Sequence, residues 1–159
     1  MIAYELSRAL SRHYFLSPRK LFVSAKRAPH LPCRDKPLHQ LPEAEFIAAL
    51  RDYNGTPHDV LANEELMGIF LPVLRADFCL SESYRFDAQE RLLTDLVLFG
   101  GRRDSLVPEP DLLAWKELFE GACEYRQFDG DHFFIHSQRD ELLAGIADYL
   151  SMSLERGTV

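Results

Sequence analysis

The sequence is poor in cysteine, and its three cysteines, Cys33, Cys79 and Cys123, are odd in number and widely spaced. That pattern suits neither a disulfide framework nor a zinc site, so they read as reduced, buried side chains and no metal or cofactor is expected. No stretch approaches roughly eighteen consecutive apolar residues, and the N-terminus reads as helix rather than as a basic segment followed by an apolar one. Neither a membrane span nor a signal peptide is expected, and the chain reads as cytoplasmic. Positive charge is also in deficit. With 18 Lys and Arg against 25 Asp and Glu, the net charge of −7 argues against wholesale binding to nucleic acid or to an anionic membrane. Internal repeats and low-complexity segments are missing too. What is present is 159 residues, 47% hydrophobic and 11% aromatic, enough to bury the core of one globular domain.

The elements run helix, strand, helical insertion, strand, helix, strand, helix. "MIAYELSRALSRHYF" places Ile2, Leu6, Ala9 and Leu10 on one helical face. "KLFVSA" is a short apolar run closed by the basic, proline-rich "KRAPHLPCRDKP", which reads as a buried strand and its loop. The block from "LPEAEFIAALRDY" to "NEELMGIFLPVLRADFCLSESY" has helical spacing. Asn63 with Glu64 and Glu65 makes a cap and first turn, and Pro72 is expected to kink or split the second helix. "LLTDLVLFGG" is a second buried strand. A helix over "PDLLAWKELFEG" buries Leu112, Trp115, Leu118 and Phe119, with Gly121 at its C′ position. "CEYRQF" is a third strand, and a last helix over about 138–156 carries Leu142, Leu143, Ile146 and Leu150. Strands alternating with helices at this spacing imply a parallel, layered α/β sheet.

In such a sheet the loops after the strands share one edge, where ligands bind. Residues 26–37, 101–107 and 129–134 form these loops, with Asp104 in the second and His132 in the third. Singly, Asp104 would serve as a helix cap and His132 as a loop histidine. Together, on adjacent strand ends, they suit acid–base chemistry: a His moves the proton of a nucleophile, and a carboxylate fixes its tautomer and stabilises the imidazolium.

Five ordered stretches carry a resemblance: "AYELSRAL", "LFVSAKRAPHLP", "LPVLRADF", "FGGRRDSLVP" and "FDGDHFFI". With them the chain resembles the C-terminal two-thirds of a type II thioesterase, the stand-alone α/β-hydrolase that accompanies nonribosomal peptide and polyketide synthetases. The resemblance implies a single, partial α/β-hydrolase domain: a parallel sheet with flanking helices and a helical lid inserted over about 38–84. It implies Asp104 as the triad acid and His132 as the general base. It also implies that Met67, Phe70, Leu71, Leu74 and Phe78 line an acyl channel, although their helical spacing equally suits ordinary core. The partners implied are acyl or peptidyl carrier domains bearing phosphopantetheine-bound substrate, and the reaction implied is thioester hydrolysis that clears misloaded carriers.

In that family the nucleophilic serine stands in a Gly-x-Ser-x-Gly elbow directly before the helix that here begins at Met1. The nucleophile is therefore expected upstream of these residues, through a start assigned at an internal Met or a truncation rather than a deliberately separate module, and the short chain is expected to be inactive. Ser24, Cys33 and Ser105 are the other candidates, and none sits in a strand-to-helix elbow. The basic set Arg19, Lys20, Lys26, Arg27, Arg34 and Lys36, against the single acid Asp35, reads either as a solvated loop face or as a contact for a phosphate or an acidic carrier domain. A non-catalytic carrier-binding or regulatory fragment of the same fold is the alternative function.

Overall fold

The computed structural model describes residues 1–32, 37–53, 55–88 and 90–155, with side chains as far as residue 151. The chain divides into two compact units, Met1–Leu31 with Ala88–Val159, and Pro32–Asp87. No helix among the described residues is long and apolar enough to cross a membrane.

The first unit is built on a parallel sheet of β1 (Lys20–Ser24), β2 (Asp95–Gly101) and β3 (Cys123–Phe128), in the order β1-β2-β3. β2 lies in the middle, and Leu96, Val97, Leu98 and Phe99 are all buried, which is why its sequence is an unbroken apolar run instead of an alternation. On one face Phe22, Val97, Phe99, Phe128 and Phe134 pack with Leu142, Ile146 and Tyr149 of α7 (Arg139–Glu155). On the other, Tyr4 of α1 (Ile2–Tyr14) and Trp115 meet beside Leu21 and Val23.

Three expectations are corrected here. The aliphatic face of α1 is not the buried one: Ile2 is 79% and Leu6 56% exposed, Ala9 is exposed and Leu10 half-buried, while Tyr4, Ser7 and Arg8 are buried. The Tyr4 ring meets Trp115 edge-on at 5.2 Å and Phe119 at 6.1 Å. Ser7 Oγ donates to Ala3 O, and Arg8 donates to Glu5 and lies over the Tyr4 ring. The helix expected over 110–121 is instead a short α5 (Glu109–Leu113) followed by a 3₁₀ turn (Ala114–Leu118). Phe119 is already extended because it bridges Leu92, with Glu120 N–H donating to Leu92 O. Gly121 serves close approach rather than helix capping, since a Cβ there would lie 2.4 Å from Thr94 O. On α7, Leu142 and Ile146 face the core, but Leu143 and Leu150 are exposed and Tyr149 takes the inward place. Arg156 lies outside the described residues.

The second unit is helical. It contains a 3₁₀ turn (Leu38–Gln40), α2 (Glu43–Tyr53), α3 (His58–Leu61) and α4 (Glu64–Glu82) around Phe46, Leu50, Leu61 and Met67. Asn63 caps α4 by accepting from Leu66 N–H at 3.1 Å, and α4 runs through Pro72 without being split. A polar clasp ties the start of the unit to its last helix. Glu82 accepts from the backbone N–H groups of Leu38 and His39 and pairs with His39 Nδ1, while Arg75 donates to the carbonyls of His39 and Leu41.

Phe46 is fully buried and meets Phe78 edge-on at 5.7 Å. A Phe46→Ala change is expected to destabilise this unit by about 3–5 kcal/mol, read from its denaturant midpoint.

Candidate active site

Because the three strands are parallel, their carboxyl ends open onto one edge and send residues 25–32, 102–108 and 129–133 into loops there. The second and third loops are stitched together by backbone before any side chain takes part. Gly101 pairs with Phe128, Arg102 N–H donates to Phe128 O at 2.9 Å, and Arg103 N–H donates to Gly130 O at 2.9 Å. Gly101 has no room for a side chain, since a Cβ would lie 2.3 Å from Asp131 O and 2.8 Å from Gly130 O. Gly130 has φ of 144°, a conformation that favours glycine, and its missing side chain lets Phe134 close over it. Phe134, at the start of α6 (Phe134–Ser137), then stacks on Phe128 at 5.3 Å and anchors the loop from below.

This framework brings His132 to Asp104. His132 Nδ1 lies 3.0 Å from Asp104 Oδ2 and 3.2 Å from Oδ1. The Asp104 side chain is 2% exposed and that of His132 16%. Asp104 Oδ1 also accepts from the backbone N–H groups of Leu106 and Val107, both at 2.9 Å. The carboxylate is therefore a turn cap and an imidazole partner at once, and these donors offset its desolvation. With Nδ1 donating to Asp104, the basic lone pair of a neutral imidazole is on Nε2, the arrangement a general base requires. The His132 ring stands edge-on to Phe133, whose N–H donates to Asp131 Oδ1. Arg103 and Asp129 span the same two loops in an exposed ion pair of 2.8 Å.

The remaining sequence candidates are placed as follows. Ser24 ends β1, is exposed and is followed by a turn, while Ser105 is exposed in the turn next to Asp104. Cys33, Arg34, Asp35 and Lys36 lie outside the described residues. Cys123 starts β3, and so stands at the opposite edge of the sheet. Burial pushes its thiol pKa up, only partly opposed by Lys116. Lys20 belongs to that edge as well, 3.3 Å from Asp95. Lys26 lines a groove of about 150 Å³ with Met1, Tyr4, Ser24 and Trp115, and Arg27 is bound to Asp111 at 2.8 Å. Of the five residues expected to line an acyl channel, Met67 belongs to the buried core of the second unit, and Leu71, Leu74 and Phe78 pack against it. Phe70 is 43% exposed. The described residues contain no cluster of His, Cys, Asp or Glu able to hold a metal ion. Sequence reasoning missed Gly101 as the spacer and Arg27 with Asp111 as a pair. The glycine pair at the strand end is the signal for the first.

A parallel sheet with flanking helices is the architecture of the α/β-hydrolase fold, and here it presents Asp104 and His132 from successive strand ends. Residues 1–150 match the thioesterase domain model. The chain is 38% identical over 157 residues to linear gramicidin dehydrogenase LgrE of Brevibacillus parabrevis, covering 97% of this chain and 60% of that protein. Against gramicidin S biosynthesis protein GrsT of Aneurinibacillus migulanus it is 36% identical, with 97% and 60% covered. Among solved structures, ClbQ from the colibactin NRPS/PKS pathway superposes with a TM-score of 0.84 at 35% identity, covering 97% of this chain and 65% of that one. The type II thioesterase BorB from the borrelidin biosynthetic cluster gives 0.82 at 32%, with 94% and 60% covered. The chain belongs to the thioesterase domain family, and it spans about 60% of the length of the curated relatives it matches.

A Gly101→Ala change is expected to cost about 1–3 kcal/mol by overpacking. It should shift the backbone amide NMR signals of residues 129–133 more than those of β1, because the added methyl presses on the His132 loop.

Proposed function

We propose that the protein hydrolyses acyl or aminoacyl thioesters held on the phosphopantetheine arms of carrier domains in nonribosomal peptide or polyketide synthesis, and so clears misloaded carriers. The observation that carries this reading is the 3.0 Å contact between His132 Nδ1 and Asp104 in a chain of the thioesterase domain family. The biosynthetic names of its relatives support the substrate class.

In this reading a serine in an elbow ahead of α1 attacks the thioester carbonyl, and His132 Nε2 takes its proton. Collapse of the tetrahedral intermediate breaks the C–S bond, and the imidazolium returns the proton to the departing pantetheine thiol. His132 then activates water against the acyl-enzyme, and the serine leaves as the carboxylic acid is released. Asp104 holds the imidazole in the Nδ1–H tautomer and stabilises its cation in both half-reactions. The helical insertion is the lid over the acyl chain. Its apolar helical face, with Met67, Phe70, Leu71, Leu74 and Phe78, is the part that covers the acyl chain in this reading.

Turnover of an acyl-carrier thioester is the test. The 159-residue chain is expected to be inactive, because a base and its acid cannot form an acyl-enzyme alone, and a version extended upstream through a Gly-x-Ser-x-Gly turn is expected to be active. In that version Asp104→Asn should lower kcat by about 10³–10⁴-fold. Turnover by the short chain that is lost on His132→Ala would instead reveal another nucleophile. For the lid, hydrogen exchange of α4 in the extended protein is expected to be faster than that of β2, and to slow when a non-hydrolysable acyl-pantetheine binds.

A further inference from the structure

Ala25, directly after β1, has φ of 44°. A residue with a side chain holds that conformation when its surroundings over-determine it, and such residues cluster where a site is being shaped. Here the surroundings come from two directions. Ala25 N–H donates to Phe99 O at 2.9 Å, continuing the sheet, and Trp115 Nε1 donates to Lys26 O at 2.7 Å. Asp111 grips the same turn twice: its carbonyl accepts from Ala28 N–H at 3.0 Å, and its carboxylate accepts from Arg27 Nε at 2.8 Å. The Asp111 side chain is 7% exposed, so this is a largely desolvated charge pair. Apolar packing of Leu112 and Trp115 already buries the segment. An ion pair is not needed for burial, and a buried pair is weak evidence of added stability.

What the pair adds is direction. Asp111 sits in the first turn of α5, and its own N–H donates to Pro108 O. The residue before Pro108 is Val107, whose N–H is held by Asp104 Oδ1. The path from Arg27 to the acid is therefore Asp111, the first turn of α5, and the turn that Asp104 itself caps. We propose that Arg27 and Asp111 are a positioning pair for Asp104, through which the strained turn after β1 sets the angle at which the carboxylate meets His132. This rests on the reading of Asp104 and His132 as acid and base. Arg27 is thereby assigned to the acid loop rather than to the phosphate of an incoming substrate.

The test uses the 159-residue chain and the proton NMR signal of His132 Nδ1–H, which reports the hydrogen bond to Asp104 directly and is assigned by its loss in His132→Gln. Asp111→Asn keeps the shape and the backbone carbonyl but removes the charge, and Arg27→Met keeps the stem. Both are expected to lose the signal while the core methyl signals of β2 stay in place, and Arg27→Lys is expected to retain it. Persistence of the signal in folded Asp111→Asn and Arg27→Met would overturn the proposal. So would their unfolding, which would make the pair a support of the fold and nothing more specific. Asp104→Asn is the control. If it leaves the His132 signal unchanged, the acid–base reading fails; if it removes the signal while the other two variants do not, only the positioning role fails.

Discussion

The register of β2 against β3 is the constraint on which the functional edge depends. Gly101 lies opposite Phe128, and the ladder continues past the strands through the N–H groups of Arg102 and Arg103. The loops that carry Asp104 and His132 therefore leave the sheet at the same level. A slip of one residue would move one loop along the other by about 3.3 Å and put Phe99 and Phe128, which meet edge-on in the core, on opposite faces of the sheet. The energy that holds the register is apolar burial, and the hydrogen bond between His132 and Asp104 is one of its consequences.

The two buried carboxylates of this edge are stabilised differently. Asp104 is held by two backbone amides and an imidazole, while Asp111 is held by a guanidinium. Asp104 thereby meets the imidazole directly, which is the contact the proposed acid–base reading uses. Asp111 faces a permanently charged donor, which suits the positioning role proposed for it. The same residue type thus meets two different kinds of partner within seven positions of sequence.

The helical unit follows a separate logic. Glu82 and Arg75 bind backbone groups at the opposite end of the unit, so the entry segment and the last helix are held to each other by charge-assisted hydrogen bonds around an apolar centre. Met67, Leu71, Leu74 and Phe78 serve that centre. Their helical spacing suits both packing on a neighbouring helix and covering an acyl chain, because the two demand the same periodicity. Phe70 differs from them in exposure, which sequence spacing does not report.

Much of the fold was legible in the sequence for local reasons. Continuous apolar runs marked β1 and β2, aromatic content marked β3, and Asn63 marked the start of α4, because strand burial and helix capping are written within a few residues. Asp104 and His132 were legible as residues that follow strand ends. The sequence by itself determined the kind and order of the elements and the edge to which those two residues belong. The tertiary structure alone decided which face of α1 is buried, where the helix before β3 gives way to an extended Phe119, that Gly101 and Gly121 are needed for close approach, and that Arg27 answers to Asp111 across 84 residues. The physical reason is that periodicity and propensity act along the chain. The shape of an aromatic neighbour, the distance to a facing carbonyl and the partner of a buried charge exist only once distant segments have been brought together.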